Sequence, residues 1–307
     1  MSDDKNHNIG GCSVCISGGR GFIGSRLVEI AKRQHAQVTE LDRTKFAGEQ
    51  LLPKGADFIV HLAGQKSLGL AAKHPLETLE AEFRMAILLL EAARLMERPP
   101  QKILLVSSVG VYGGEGEVSE SDPDFVGSIY AASKKNIENL GRAYAAEYGL
   151  PVIIARLSNV YGPGQTQEAL VPSIIGQMAG NISENAQIVL GNTKIVRDFV
   201  FIDDVVEGFI KLLLAPASSG DIFNVSTGIG HSVEELVSTL SALLHYRGSI
   251  IVEPDKIRPN ERKVLIASNE RLKSLTGWKT RYSLEDGLTK TVSHYKKIIK
   301  SGVSYAL

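Results

Sequence analysis

Cys12-Ser13-Val14-Cys15-Ile16-Ser17-Gly18-Gly19-Arg20-Gly21-Phe22-Ile23-Gly24 is the stretch from which the rest of this chain is read. Its first six residues form an apolar run of strand length. A helical pattern follows from Phe22, with apolar positions at Ile23, Leu27, Ile30 and Ala31. Between the two, glycines at 18, 21 and 24 permit a tight turn, a close backbone approach to a pyrophosphate and close helix–strand packing. The helix N-terminus adds free N–H groups and a partial positive charge that suit an anion. Gly18, Gly21, Phe22, Ile23 and Gly24 are therefore candidate dinucleotide-binding residues. Asp42 ends the next apolar run, where a carboxylate can bond ribose hydroxyls and repel a 2′-phosphate. Arg43 follows it and could accept such a phosphate. NAD is the expected cofactor, ahead of NADP.

Outward from this loop, strand-like and helical patterns alternate. Strands are expected over 12–17, 37–41, 57–62, 102–107 and 152–157, and helices over 22–33, 77–96 and 130–148. Each strand run is almost continuously apolar, as in a sheet covered on both faces. The rhythm defines an α/β fold, a Rossmann-type doubly wound parallel sheet. Beyond Val160 it loosens into short strands and helices. Residues 1–165 are read as the dinucleotide-binding domain, with segments near 195–230 returning to it. Residues 166–307 are read mainly as a smaller mixed α/β substrate region.

Bulk properties narrow the classes. Acidic and basic residues balance at 34 each in 307 residues, so no global field draws nucleic acid. No run of about 18 apolar residues marks a membrane span. Residues 1–11 are polar and lack the apolar core of a signal peptide. The two cysteines, Cys12 and Cys15, sit three apart in a strand and should face opposite sides, so they are expected to be ordinary thiols rather than a metal or redox pair. A reducing cytoplasm is the expected compartment.

Tyr130-Ala131-Ala132-Ser133-Lys134 carries the chemistry. Residues i and i+4 share one face of a helix, which sets a phenol beside an ammonium. A free tyrosine is about a thousandth ionised at neutral pH. A fixed positive charge one turn away favours the phenolate and makes Tyr130 a candidate general base.

Taken together, these stretches resemble the extended short-chain dehydrogenase/reductase family, in its nucleotide-sugar epimerase/dehydratase branch. The resemblance runs through the Gly-x-x-Gly-x-x-Gly spacing, His61-Leu62-Ala63-Gly64, Ser107-Ser108-Val109-Gly110-Val111-Tyr112-Gly113 and Arg156-Leu157-Ser158-Asn159-Val160-Tyr161-Gly162-Pro163. Downstream it continues through Arg197-Asp198-Phe199, Asp203-Asp204-Val205, Asn224, Arg258-Pro259 and Gly277-Trp278. It implies that Leu62, Ala63 and Gly64 border the cofactor and that Lys134 also bonds the nicotinamide ribose. It implies that Ser108 is the second catalytic hydroxyl, beside Tyr130 and Lys134. Ser108, Asn159, Arg197 and Arg258 are then candidate substrate contacts. A guanidinium fork suits the diphosphate of a nucleotide sugar.

Two departures matter. Dehydratases of the family carry an Asp-Glu pair directly after the catalytic hydroxyl, where this chain has Val109 and Gly110, so dehydration is disfavoured. Glu82 and Met85 stand where the family usually has Asn and Gly. Asp42 and the absent Asp-Glu pair favour an NAD-dependent epimerase acting at a sugar hydroxyl, with C4 the expected centre, and the Glu82 and Met85 departures count against it. An NAD(P)H-dependent 4-ketoreductase is the alternative, and a non-catalytic dinucleotide sensor the alternative of another class. Family resemblance implies a homodimer through the helices near 77–96 and 130–148.

Overall fold

The computed structural model describes residues 8–41, 55–64, 68–179, 183, 185–257 and 261–300. The first half runs β1 (Ser13–Ser17), α1 (Phe22–Arg33), β2 (Gln37–Leu41), β3 (Phe58–His61), α2 (Leu68–Lys73), α3 (Pro75–Arg94), β4 (Lys102–Ser108), β5 (Gly116–Val118), α4 (Ile129–Tyr148) and β6 (Val152–Leu157). The second half runs β7 (Asn159–Tyr161), α5 (Leu170–Ala179), β8 (Gln187–Leu190), β9 (Val196–Phe201), α6 (Ile202–Leu214), β10 (Ile222–Val225), β11 (Gly230–Ser232), α7 (Val233–Leu244), β12 (Ser249–Val252), β13 (Val264–Ala267), α8 (Glu270–Thr276) and α9 (Leu284–Lys300).

Six strands form one sheet in the order β10-β6-β4-β3-β1-β2, and every pairing in it is parallel. The fold is therefore a Rossmann-type doubly wound sheet. The winding reverses between β1 and β3, because β2 lies on one side of β1 and all later strands on the other. Ligands of such sheets bind beyond the carboxyl ends of the strands at that reversal.

Side-chain alternation explains the continuous apolar runs. Val14, Ile16, Phe58, Val60, Leu104, Ile153 and Ala155 face the core shared with α1 and α6. Cys15, Ile59, Ile103, Leu105, Val152 and Ile154 face the other core, shared with α3 and α4. With both faces covered, odd and even positions are both apolar. The thiols obey the same rule. Cys12 packs against the first core and Cys15 lies in the second. Both are free, and burial pushes the Cys15 thiol up to about 12.

The helix carrying Tyr130 begins one residue earlier than its apolar pattern. Ser128 is the cause: its Oγ accepts from Ala131 N at 3.1 Å and caps α4. Gly149, at φ 68°, ends it in the left-handed region.

A second, mixed sheet runs β11-β9-β13-β5, with β7 on β9, and β12 pairs with β8. Sequence patterning missed β5, β7, β9, β11 and β13: the first four contain polar residues or glycine, and β13 is an apolar run of only four residues. Their strand state depends on partners far away in the chain. A separate core of Val171, Ile174, Ile188, Leu236, Leu240 and Leu288 supports this half. Two resemblance motifs meet beside it: Trp278 Nε1 donates to the Asp204 carbonyl at 3.0 Å, and the Asp204 carboxylate accepts from the backbones of Arg281 and Tyr282. Among the described residues no helix is long and apolar enough to cross a membrane.

Candidate active site

The glycine loop joins β1 to α1 as its spacing predicts. Gly18 adopts φ 74°, where only glycine is unstrained. A Cβ on Gly24 would lie 2.1 Å from the Gly18 carbonyl oxygen, so α1 packs on the turn itself. A Cβ on Gly18 would lie 2.8 Å from Ala63 N, so the loops after β1 and β3 touch at the sheet's reversal. No side chain caps α1 at Gly21, and no acidic residue occupies its first turn. The N–H groups of Phe22, Ile23 and Gly24 thus open a helix start suited to an anion, and the cradle fits a dinucleotide pyrophosphate. Asp42, Arg43 and Arg258 lie outside the described residues.

Ser17 locks the two loops together. Its Oγ accepts from the backbones of Leu62 and Ala63 at 3.2 and 3.3 Å, and therefore donates to His61 Nδ1 at 2.7 Å. His61 is 1 % exposed. Burial, with a smaller push from Lys134, lowers its imidazole to about 3, so it stays neutral.

Tyr130 and Lys134 share the inner face of α4, as the spacing predicts. Lys134 Nζ lies 5.7 Å from the Tyr130 ring centre. Ser108 ends β4, and its Oγ accepts from Gly110 N at 3.1 Å. A Cβ on Gly110 would lie 3.3 Å from Ser108 Oγ and 3.8 Å from Tyr130 Cε1. The bare glycine therefore keeps open a space between the two hydroxyl-bearing side chains. Lys134 is buried, and its ammonium sits 3.2 Å from Glu82 Oε1.

A buried charge network supports this wall. Arg156 on β6 donates to Glu138 of α4 through Nε at 2.8 Å and Nη2 at 2.7 Å, and Nη2 also reaches Asp124 at 2.8 Å. Ser107 Oγ donates to Glu138 at 2.6 Å, and Lys135 pairs with Asp124 and Glu138. The Arg156 guanidinium lies 4.5 Å from the Tyr112 ring centre. The network ties β4, β6, α4 and the loop ahead of Ser128 into one unit.

The proposed substrate side is built on β7 and β9. Asn159 is exposed, and its Nδ2 donates to the Asp198 carbonyl at 3.1 Å. The buried Asp198 carboxylate accepts from Ser158 Oγ, Thr227 N, Thr227 Oγ1 and Gly228 N. Burial raises its pKa while these bonds pull it down. Arg197 donates to the carbonyls of Val196 and Arg262, both at 2.8 Å, so it braces the segment that enters β13. Sequence reasoning missed Arg262 altogether. Its Nη2 donates to the Gly110 carbonyl at 3.2 Å, and Nη1 is buried with no hydrogen-bond partner among the described residues. No local pattern announces it, because the contact joins positions 152 residues apart.

A doubly wound sheet with a glycine cradle and a Tyr–Lys pair at its reversal defines a dinucleotide-dependent α/β enzyme class. Residues 14–226 match the NAD dependent epimerase/dehydratase family, and the chain belongs to that family. It is 32 % identical over 248 residues to dTDP-D-glucose 4,6-dehydratase of Mus musculus, covering 78 % of this chain and 68 % of that one. It is 27 % identical over 300 residues to GDP-6-deoxy-D-mannose reductase of Pseudomonas aeruginosa, covering 93 % and 97 %. The crystal structure of Thermus thermophilus UDP-glucose 4-epimerase with NAD superposes with a TM-score of 0.78 at 26 % identity, covering 92 % and 99 %. The chain is thus kin to nucleotide-sugar epimerases, dehydratases and reductases. The expectation that dehydration is disfavoured draws no support from these relatives, since a dehydratase stands among them. It rests on Val109 and Gly110 alone.

Proposed function

We propose that the protein is an NAD-dependent nucleotide-sugar epimerase that inverts a sugar hydroxyl at C4. The carrying observation is the open space at Gly110, bounded by Ser108 Oγ and the Tyr130 ring, with Lys134 on the same helix face. Gly18, Gly21, Phe22, Ile23 and Gly24 hold the pyrophosphate of the cofactor, and Leu62, Ala63, Gly64 and Lys134 border its nicotinamide half. The cofactor, when bound, supplies a reversible hydride acceptor for the sugar carbon. Tyr130 takes the alcohol proton on oxidation and returns it on reduction. Ser108 donates a hydrogen bond to the same oxygen and keeps it in line. Asn159, Arg197 and Arg258 serve the diphosphate side, and the 166–307 region closes over the sugar. Neither Val109 nor Gly110 can transfer a proton, which argues against elimination of water.

The reading is tested by incubating the purified protein with UDP-, GDP-, dTDP- and CDP-sugars. An epimer formed without added reduced cofactor is the expected result. Strict dependence on NADH or NADPH would overturn it in favour of ketone reduction, which the full-length likeness to the Pseudomonas aeruginosa reductase supports as a second reading. A 4-keto-6-deoxy product would overturn it in favour of dehydration.

The same reading includes a homodimer. Helices α3 and α4 lie side by side, and the groove on them is lined by Leu79, Phe83, Ile87, Leu88, Ser133 and Asn136. Phe83 is 40 % exposed there. A second copy applied through its own α3 and α4 would cover these side chains symmetrically. Light scattering after sizing chromatography should give twice 33.2 kDa, and a single-chain mass refutes the dimer.

A further inference from the structure

Glu82 stands in the middle of α3, where the family usually carries a neutral Asn. It is 1 % exposed, and its Oε1 lies 3.2 Å from Lys134 Nζ. A Cβ on Gly64 would come within 2.6 Å of that Oε1 and 2.9 Å of that Nζ. The ion pair therefore lies against the loop after β3, the same loop that touches Gly18. Tyr130 lies beside it on α4, and His61 on β3 is held neutral. Glu82 and Lys134 thus set opposite charges against one another at the inner end of the cradle. An Asn at position 82 would remove the negative member of this pair.

That difference bears on the two redox forms of the cofactor unequally. Oxidised nicotinamide is cationic and reduced nicotinamide is neutral. A lone lysine repels the oxidised ring and leaves the reduced ring unaffected, whereas a neutral pair repels neither. We propose that Glu82 is a positioning residue that fixes the charge beside the nicotinamide, so that the oxidised dinucleotide is held in preference to the reduced one. The proposal rests on the placing of the nicotinamide half beside Lys134 made above. It deepens the epimerase reading, because an epimerase begins each cycle with the oxidised form and a reductase with the reduced form. At an effective dielectric of about 20, one unit charge about 10 Å away shifts a binding equilibrium by about tenfold.

The experiment measures dissociation constants for NAD⁺ and NADH by titration calorimetry, with no substrate present. Glu82→Gln keeps an acceptor for the lysine and removes only the charge. It should weaken NAD⁺ about tenfold and leave NADH within about twofold, by the same Coulomb argument. Equal weakening of both forms assigns Glu82 a packing role and overturns the proposal, as does an unchanged ratio. Should Glu82→Gln fail to fold, the double variant Glu82→Gln/Lys134→Met has neither buried charge. Its NAD⁺ to NADH ratio should then match the unaltered protein, and a tenfold departure overturns the proposal. Lys134→Met alone separates the two readings. If it leaves both affinities untouched, the placing of the cofactor beside Lys134 fails. If it weakens binding while Glu82→Gln keeps the ratio, only the role of Glu82 fails.

Discussion

Tyr130→Phe should lower kcat by about a thousandfold while cofactor and nucleotide-sugar affinity change little, because it removes only the hydroxyl to which the proposed reaction assigns the alcohol proton. The phenylalanine ring fills the same space on α4 beside Gly110 and Lys134. Packing is therefore preserved, and the variant should unfold at the same temperature as the unaltered protein. Turnover is followed with the nucleotide sugar identified in the substrate panel, and affinity by titration of NAD and of that sugar separately. Retention of more than a tenth of the activity would show that another group carries the proton. Activity in neither protein, with binding intact in both, would instead favour a non-catalytic dinucleotide sensor.

Arg156→Met should destabilise the protein by about 3–5 kcal/mol, the range found when one partner of a buried ion pair is removed. Arg156 is 1 % exposed and Glu138 is fully buried. Without the guanidinium, the Glu138 carboxylate keeps only Ser107 and Lys135 among the described residues. Asp124 also loses its tie to β6, which loosens the loop leading to Ser128 and Tyr130. Urea unfolding measures the loss directly. Replacing both partners, as Arg156→Met/Glu138→Leu, should recover most of the stability, since it leaves no uncompensated charge at the centre of the network. A single-variant loss below about 1 kcal/mol would mean that water or a rearranged lysine replaces the guanidinium, and the clamp assigned to Arg156 would fall.

Much of the architecture was legible locally. The bounds of α1 and β6 follow the apolar patterns residue for residue, because each element buries a continuous stripe or run. The glycine loop was equally legible, since turn, cap and close packing are properties of consecutive residues. The short strands of the second sheet were not. In β9, Arg197 and Asp198 interrupt the apolar residues, and the strand exists because β7, β11 and β13 pair with it. Arg197 illustrates the same limit. Its place in a motif suggests a phosphate contact, while its brace to the carbonyls of Val196 and Arg262 is visible only in the assembled structure.

The divide falls along the range of the forces involved. Tyr130 and Lys134 are neighbours because a helix turns every 3.6 residues, and that relation is written in their spacing alone. The glycine cradle likewise needs only the backbone freedom of its own residues. Glu82 is different. From the chain it reads as a mere departure from a family Asn, 52 residues from the lysine it meets. Only the packing of α3 against α4 over the sheet brings the carboxylate and the ammonium together out of water. The same holds for Arg262 at Gly110 and Arg156 at Glu138. Burial gives these charges their weight, and burial is a property of the assembled layers.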